Sequence, residues 1–546
     1  MLRKGKLLIL AITIILVLSS CGAPVGDGSD GDGSGNSVLR VGWTSEPDIL
    51  NPISSYSTES MQATFLIYET LLGYDTNLDT VCKLAESYEV NEEGTVFTYY
   101  LREGAYWQDG VEFTAEDVLD TYNRIKDHDL SEAAQYTVYL EDVSAPDDYT
   151  VVMTFSQPQA FNVAYVVPIL PKHIWGEMSP EEIEAFPNDD PIGIGAYKFV
   201  EWKQGSTLTL ERNEDYYGEA PGADQIIFIL YGNEDVEIQA LKAGEVDVLT
   251  EVSPTLWDSL AGVENVKAVS LPSFSFHYIG FNCYQDPSSL GNKMLLDSRV
   301  RQALGYTLDR EQMISVALAG HGAIGGSILP NAFDEWKYYF SGDEEINNNL
   351  EKAEKILDEA GYVDTDGDGI RDKDGEQMIF RLYADEATTT DVRAAQMFRD
   401  YAEKIGIKLV LTTMDENTMG GIVYNLDAPD FDIFVWAWDS DYPDPGYLLG
   451  MPLTSQIGGN NEVYYSNPEY DELYLLQSTQ IDPVERKNTL NKLEKILYND
   501  GAAQILWYQD KLQAYRTDTF TGWEDAPGGL IFGITYDNYL NVQPAK

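Results

Sequence analysis

Short runs of apolar residues interrupted by polar ones occur in the first half of the chain, and they predict strands. Residues 95–103 (TVFTYYLRE) and 148–156 (DYTVVMTFS), rich in β-branched and aromatic residues, each read as a strand. Residues 195–213 contain two such runs separated by Gln204-Gly205, which is a typical hairpin turn. We therefore expect this part of the chain to be rich in antiparallel strands.

The second half alternates helical and strand patterns. Asp297 or Ser298 should start one helix, and Asp309 is positioned as the N-cap of the next, which should stop at Gly320. Residues 378–383 read as a strand, 390–406 as a helix and 407–413 as a second strand. This order is that of a βαβ unit, which predicts a mostly parallel sheet covered by helices.

One strand of this half has almost no polar interruption. Residues 431–438 (FDIFVWAW) fit a strand covered on both faces, and the acidic sequence DSDYPDP follows directly. In open parallel sheets, ligands bind beyond the carboxyl ends of the strands. We therefore expect Asp439, Asp441 and Asp444 to lie at the mouth of a crevice.

The N-terminal end predicts export. Basic residues precede an uncharged apolar run at 7–18, which is too short for a comfortable membrane span but suits a signal peptide. The sequence LSSC, ending at Cys21, resembles the lipobox of bacterial lipoproteins, which implies a signal peptide at 1–20 and a lipidated Cys21. A Gly-, Ser- and Asp-rich stretch follows, so residues 21–37 should form a flexible tether. An ordinary signal peptide cut nearby, or an uncleaved anchor, is the alternative.

Charge and cysteine content argue against certain partners and metal sites. The formal net charge of -56 argues against nucleic acid as a partner, because phosphates would be repelled. No second apolar run approaches a membrane span, so we expect a soluble body. Cys82 and Cys283 remain after Cys21, and the sequence leaves open whether they pair. With four histidines and no Cys-x-x-Cys, a zinc site of the usual kind is not expected.

An aspartate-rich loop at residues 364–375 (DTDGDGIRDKDG) is a candidate metal site. Asp364, Asp366 and Asp368 stand at alternate positions before Gly369, and Asp372 occupies the ninth position, as in a calcium loop. The twelfth position, usually a bidentate carboxylate, is a glycine. The alternative is a solvated acidic turn. Calcium is thus a possible ligand, and no other cofactor is expected.

Several blocks in order resemble one family, the extracellular solute-binding proteins of peptide ABC transporters, which include oligopeptide-, dipeptide- and nickel-binding proteins. These blocks include LRVGWTSEPDILNP at 39–52, the long block at 84–118, the glycine-containing block at 190–218 and FDIFVWAWDSDYPDP at 431–445. The resemblance covers nearly the whole body. It implies an α/β, two-lobed periplasmic-binding-protein-like fold (type II, cluster C) with an extra inserted α+β domain.

The resemblance also implies a division of the chain. Lobe I would be discontinuous, built from residues 38–70, 191–290 and 513–546. The inserted domain of lobe I would span 71–190, and lobe II, of α/β type, would span 291–512. The implied protein is a monomer anchored by lipid to the outer face of the cytoplasmic membrane, with ABC transporter permease subunits as partners.

By the same resemblance, the acidic segment holds the ligand. An aspartate there pairs with the peptide α-ammonium in peptide-binding relatives, and its position corresponds to Asp441. Trp438 and Tyr442 would line the same pocket. The alternative for Asp441, from the residues alone, is a turn aspartate that bonds its own backbone before Pro443. Asp439 and Asp444 are interpreted as turn or capping residues.

The ligand itself stays open at this stage. Residues 320–330, which lie near the ligand in relatives, contain no Arg or Lys, so a partner for a peptide carboxylate is not identified. A peptide is the expected ligand, and an oligosaccharide or a nickel complex on the same fold is the alternative. A secreted hydrolase is a hypothesis of a different class. Since motifs such as Gly-x-Ser-x-Gly and His-Glu-x-x-His are absent from the sequence, we expect a binding protein and not an enzyme.

Overall fold

The fold is taken from a computed structural model that describes residues 37–128, 130, 134–440, 442–530 and 536–546. The predicted signal peptide (1–20), Cys21 and all but the last residue of the predicted tether lie outside the described residues. Among the helices of the described part, none combines the length and apolar character that a membrane span requires.

Strands run through the whole described chain. They are β1 (Val38–Trp43), β2 (Leu72–Tyr74), β3 (Thr80–Cys82), β4 (Ala85–Val90), β5 (Val96–Leu101), β6 (Leu140–Asp147), β7 (Thr150–Phe155), β8 (Tyr197–Lys203), β9 (Thr207–Arg212), β10 (Gln225–Leu230), β11 (Val248–Leu249), β12 (Val266–Pro272), β13 (Phe276–Phe281), β14 (Gly322–Ile324), β15 (Asp372–Lys373), β16 (Glu376–Gln377), β17 (Ile379–Asp385), β18 (Lys408–Met414), β19 (Ile433–Trp438), β20 (Ala503–Arg516), β21 (Phe520–Thr521) and β22 (Gln543–Pro544).

Helices are concentrated in the second half. They are α1 (Thr58–Ile67), α2 (Ala115–His128), α3 (Ala134–Thr137), α4 (Lys172–Trp175), α5 (Pro180–Ala185), α6 (Glu234–Ala243), α7 (Pro254–Trp257), α8 (Ser298–Gly305), α9 (Arg310–Ala317), α10 (Leu350–Glu359), α11 (Thr389–Glu403), α12 (Glu416–Val423), α13 (Pro445–Gly450), α14 (Pro468–Ser478), α15 (Pro483–Asp500) and α16 (Asp537–Asn541).

The largest sheet extends across the molecule. Among the described residues its strand order is β18-β17-β19-β13-β20-β11-β1-β10-β9-β8, and β12 and β14 also pair with β20. Strands β17, β18 and β19 are parallel, with α11 connecting β17 to β18, so the predicted βαβ unit is confirmed. The expectation of a mostly parallel sheet is wrong for β13 and β20, which run antiparallel to their neighbours. Strand β13 follows a segment that comes from the other half of the molecule, and β20 leads back to that half.

Two antiparallel chain segments cross between the halves side by side. Strand β12 pairs with the C-terminal part of β20, and β13 pairs with its N-terminal part, from His277 opposite Trp507 to Gly280 opposite Ala503. Between the two pairings, the Ser273 hydroxyl donates a hydrogen bond to the Gln509 carbonyl. This short stretch, residues 273–276 and 508–511, is the crossing region.

Two large apolar cores lie on opposite sides of the crossing region. One draws its buried members from residues 39–269 and 515–542, and the other from residues 274–508. We call the first half lobe I and the second lobe II. The core of lobe II begins before residue 291, where the sequence-based boundary was placed. The four-stranded sheet β4-β5-β7-β6 lies within the predicted inserted segment 71–190, and its core is continuous with that of lobe I.

Local signals for helix starts are confirmed in detail. The Asp297 side chain accepts a hydrogen bond from the Arg299 amide at 3.0 Å and begins α8, and Asp309 does the same for α9 through the Gln312 amide. Helix α9 stops at Ala317, three residues before the expected Gly320, because Ala319 and Gly320 both take positive φ angles.

The two cysteines of the body are not joined to each other. Cys82 and Cys283 are free thiols, and Cys283 is buried in the core of lobe II. The question that the sequence left open is therefore answered: the described body is held together without a disulfide between them.

Candidate ligand-binding cleft

The acidic segment at 439–444 lies where the sequence placed it, at the carboxyl end of β19. Ile433, Phe434 and Val435 are fully buried, and the strand becomes half-buried from Trp436 onward. The change occurs because β19 leaves the sheet interior and reaches the space between the lobes. Asp441 itself lies outside the described residues, so its pairing with a peptide ammonium stays a prediction.

Trp438 is held in place by a buried carboxylate. Its indole Nε1 donates a hydrogen bond to Glu462, and the Tyr278 hydroxyl donates to the same oxygen of that side chain. Glu462 is 2% exposed, and this burial raises its pKa to about 7 in spite of the two donors. The indole plane is therefore fixed by a residue that titrates near neutrality.

Tyr442 connects the acidic segment to the opposite lobe. It is half-buried, and it packs against the core of lobe I although β19 belongs to lobe II. The Ser440 hydroxyl donates to the Tyr442 carbonyl at 2.8 Å. The segment therefore spans the space between the two cores.

Asp444 has a structural role, as its sequence context indicated. It caps α13 by accepting the Gly446 amide at 2.7 Å. Its two oxygens also accept from the Arg486 guanidinium at 2.7 and 2.8 Å. Both side chains are largely buried, and Gln477 accepts a further bond from Arg486 at 3.1 Å. This paired arrangement anchors the end of the acidic segment to α15.

A polar cavity of about 440 Å³ adjoins the crossing region, and we call it the hinge cavity. Both lobes and both crossing segments contribute to its wall, through Thr58, Glu251, Ser273, Thr388, Asp439 and Lys511 among others. The Lys511 ammonium lies 3.1 Å from the Glu251 carboxylate. A charged group is therefore present at the base of the space between the lobes.

Asp439 differs from the simple turn residue that its context suggested. It accepts the Ser440 amide at 2.8 Å, as a turn aspartate would, but its side chain also lines the hinge cavity. The residue is exposed toward the cavity, yet desolvation by the surrounding protein raises its pKa, with Lys511 opposing the effect. The same lysine lowers the pKa of Glu251. Desolvation of the Lys511 ammonium lowers its pKa, but the nearby carboxylates of Glu251 and Asp439 outweigh this effect, so the pKa of Lys511 is raised.

A buried histidine–aspartate pair forms another part of this wall. His277 Nδ1 lies 2.6 Å from Asp391 Oδ1, and the two side chains are 8% and 4% exposed. The imidazole also lies over the indole of Trp507, with 5.3 Å between ring centroids. Neither residue was predicted from the sequence, and neither were Lys511 and Glu251, since none of them belongs to a recognisable local motif.

A second cavity, of about 1040 Å³, opens between lobe II and the part of lobe I that carries the smaller sheet. We call it the aromatic cavity because its wall includes Tyr74, Phe97, Phe161, Tyr165, Phe333 and Trp336. The Arg486 guanidinium lies 5.2 Å from the centroid of the Trp336 ring, and its partner Asp444 also lines this wall. The acidic segment thus has one cavity at each end.

The aspartate-rich loop lies apart from both cavities. Three carboxylate oxygens, one each from Asp364, Asp366 and Asp372, lie within 4.8 Å of one another. Asp368 is not part of this group, and its side chain accepts a hydrogen bond from the Gln377 side-chain amide at 2.6 Å. Asp364 accepts the amides of Gly367 and Gly369, and these bonds lower its pKa. The loop is therefore already stabilised by its own backbone, and calcium stays a prediction.

Comparisons with known proteins extend these observations. The family model for bacterial extracellular solute-binding proteins, family 5 (middle region), matches residues 79–460. The oligopeptide-binding protein AppA of Bacillus subtilis (strain 168) is 29% identical over 551 residues, which cover 97% of this chain and 98% of that protein. The glutathione-binding protein GsiB of Salmonella typhi is 24% identical over 92% of this chain and 93% of its own.

Solved structures agree on the fold. AppA from Bacillus subtilis in complex with a nonapeptide superposes with a TM-score of 0.77 at 28% identity, covering 93% of this chain and 99% of that one. NikZ from Campylobacter jejuni in complex with Ni(L-His) gives a TM-score of 0.77 at 22% identity, covering 93% and 99%, and is similar in fold. The expected two-lobed periplasmic-binding-protein fold is confirmed. Because the family model matches well over half of its length, the chain belongs to the bacterial extracellular solute-binding proteins of family 5.

Proposed function

We propose that this protein is the substrate-binding component of an ABC importer, which captures peptides between its lobes and delivers them to membrane permease subunits. The observation that carries the proposal is the likeness to AppA over nearly the full length of both chains, in sequence and in fold. Two cavities flank the acidic segment between the lobes. The hinge cavity, of about 440 Å³, falls within the range expected of ligand sites, about 300–1,000 Å³, and the aromatic cavity, of about 1040 Å³, lies at its upper limit.

The proposed ligand contacts follow the chemistry of a peptide. An extended peptide always offers backbone donors and acceptors and an α-ammonium group, whatever its sequence. We assign the ammonium to Asp441 and the adjoining wall to Trp438 and Tyr442. Trp438 supports this role because Glu462 fixes its indole, so little side-chain entropy would be lost on binding.

Capture is proposed to close the lobes by rotation about the crossing region. Among the described residues, two neighbouring strand segments cross there, and the chain on either side packs into separate cores. Small-angle X-ray scattering of the mature protein, with and without a saturating peptide, tests this step. We expect a smaller radius of gyration with peptide, and superimposable curves would contradict closure.

The peptide assignment is tested by native mass spectrometry of the mature protein purified without a tag, followed by titration with a mixed peptide library. Copurified peptides and saturable binding are expected. If the library fails to bind while an oligosaccharide or a nickel complex binds, the peptide assignment is wrong. Recovery of the bound peptide intact is also expected, because we propose binding without catalysis, and cleaved products would contradict that.

We further propose that Cys21 carries the lipid anchor and that the body works as a monomer at the outer face of the cytoplasmic membrane. The cysteine follows the small residues of a lipobox, and the tether has the composition of a flexible chain. Mass spectrometry of the N-terminal peptide from the native host tests the anchor. An unmodified Cys21, or an uncut signal peptide, would contradict it.

Calcium at the aspartate-rich loop is a separate proposal. Asp364, Asp366 and Asp372 offer the hard oxygen ligands that calcium prefers, and their spacing allows a shared ion. Such an ion would stabilise the loop between α10 and β17 without contacting the cleft. Isothermal titration should show calcium binding that Asp366→Asn abolishes. Absence of heat, with an unchanged melting temperature in chelator, would remove the proposal.

A further inference from the structure

The inserted segment of lobe I, residues 71–190, touches lobe II beside the aromatic cavity. The Ala160 amide donates a hydrogen bond to the Ser478 carbonyl at 2.9 Å. Ala160 belongs to the loop after β7 and Ser478 is the last residue of α14, so this bond joins the two lobes directly. Ala160 lines the aromatic cavity and not the hinge cavity. The lobes therefore meet at a place separate from the crossing region.

The turn after α14 adds an apolar contact at the same place. Gly94, in the turn between β4 and β5, has a φ of 68°, and a Cβ at that position would lie 2.7 Å from Ile481 Cγ2. The isoleucine methyl group thus rests on the glycine backbone, and glycine suits both this φ and this close approach. Ile481 stays 53% exposed, so the contact can separate without opening a core.

A third contact carries backbone strain. Leu78, in the turn between β2 and β3, packs against the core of lobe II although the hairpin belongs to lobe I. Its φ is 66°, a left-handed conformation that is unusual for a bulky residue and that glycine or asparagine would adopt more easily. A strained residue whose side chain reaches the opposite lobe indicates that the side chain has a function there.

These contacts are built to form and break. They involve turns and the ends of elements, and neither Leu78 nor Ile481 is a buried member of a core. Rotation about the crossing region can therefore separate them while each lobe keeps its packing. Each contact joins one lobe to the other, so it favours the closed arrangement whatever occupies the space between them.

We propose that the inserted segment is a clasp, whose residues Leu78, Gly94 and Ala160 hold lobe II and set the balance between open and closed lobes. This proposal goes beyond the capture of peptides, because it concerns contacts between the lobes themselves. Any guest that requires closure gains affinity from the clasp by the same factor, whatever its side chains. The clasp would thus strengthen binding without reading the sequence of a peptide.

Hydrogen exchange at the Ala160 amide reports the clasp directly. The mature protein is labelled with ¹⁵N-alanine and ¹⁵N-glutamine, and amide exchange is followed by NMR. The Gln159 amide donates to the Gly94 carbonyl at 3.0 Å within the inserted segment, so it is an internal reference that lobe opening does not release. We expect the Ala160 amide to be protected in the peptide-free protein and more strongly protected with a saturating peptide.

Two variants, one on each lobe, weaken the clasp. Ile481→Ser removes the contact with Gly94, and Leu78→Asn removes the contact with lobe II while keeping a residue that tolerates the turn. Each should speed exchange at Ala160 by at least about fivefold, the scale of one or two methylene groups lost from a contact, and leave Gln159 unchanged. Leu78 lies in a different turn from Ala160, so its effect on that amide reports movement of the lobes.

Val484→Ser is the matched control. Val484 is 67% exposed and lies three positions beyond Ile481, so the substitution removes apolar surface from the same region without touching the clasp. It should change the exchange of neither amide.

Peptide dissociation separates a clasp from a ligand subsite. With peptides of different composition, both clasp variants should raise the dissociation rate by at least about threefold and by the same factor for every peptide. Factors that differ with the peptide side chains would mean that Leu78 and Ile481 contact the ligand, and the clasp would be overturned.

The exchange measurement also separates the clasp from the proposed function. If the Ala160 amide is unprotected in the wild type, or if either variant leaves its exchange unchanged, the clasp is overturned whether or not peptides bind. If the variants speed exchange at Ala160 and no peptide binds, the clasp stands and the proposed function fails.

Discussion

Replacing Glu462 with glutamine should stabilise the protein at about pH 8 and have little effect near pH 4.5. Glu462 is 2% exposed, and burial raises its pKa from the ordinary 4.5 to about 7. A carboxyl group with a raised folded-state pKa contributes its full stability below pH 4.5. That contribution is lost as the pH rises through about 7, because the folded state must then keep a proton or hold a buried charge.

The size of the effect follows from the same values. The rise from 4.5 to about 7 corresponds to about 3 kcal/mol, since each pH unit is worth about 1.36 kcal/mol. Glutamine keeps an oxygen that can accept from Trp438 and Tyr278 but cannot ionise. The variant should therefore avoid this loss, and its advantage over the wild type should grow from near zero at about pH 4.5 to about 3 kcal/mol at about pH 8.

Urea unfolding followed by tryptophan fluorescence at the two pH values provides the measurement. Glu494 and Glu237 are also buried carboxyl groups with raised pKa values, about 7 and about 8. They change the stability of variant and wild type alike as the pH rises, so the difference in unfolding free energy between the two proteins isolates the effect of Glu462. Glu472→Gln on the exposed side of α14 serves as the control and should show no such trend. A stability difference that stays constant between the two pH values would refute the reasoning.

Three further predictions concern the acidic segment and the surface charge. Asp441→Ala should weaken a peptide with a free α-amine by about 2–5 kcal/mol in calorimetry and scarcely affect its N-acetylated form, and unchanged affinity for the free amine would exclude the proposed pairing. Asp444→Ala should lower the free energy of unfolding by about 3–5 kcal/mol, because it leaves Arg486 buried without its carboxylate. Adding Arg486→Met should recover much of that loss, and failure to recover would contradict the ion-pair explanation. With a net charge of -56, the melting temperature should rise when salt increases from about 10 mM to about 300 mM, and a fall would show that self-repulsion is not a major cost.

Much of the local structure could be predicted because its causes are local. The caps at Asp297 and Asp309 need only a side-chain oxygen near the amide two or three residues on. The apolar run of β19 is buried because both faces of the sheet are covered there, and apolar composition alone encodes this. The position of the acidic segment then follows from the end of that strand.

The hinge cavity could not be predicted in the same way, because its members meet only in the folded chain. Lys511 lies inside β20, where a charged residue suggests solvent exposure, and its partner Glu251 is 260 positions earlier. His277 and Asp391 are separated by 114 positions and belong to different elements. Neither pair leaves a local pattern, since their contacts depend on how the crossing segments bring the two lobes together.

The pairing of β20 also constrains how the chain matures. Strand β1, near the start of the body, neighbours β11, and β11 pairs with residues 514–515 of β20. The sheet of lobe I therefore lacks a strand until β20 has been synthesised. A nascent chain contains β1 and β11 long before it contains their partner, so assembly of lobe I should wait for residues 503–516. Truncation upstream of residue 503 should accordingly yield a chain that fails to fold and is degraded.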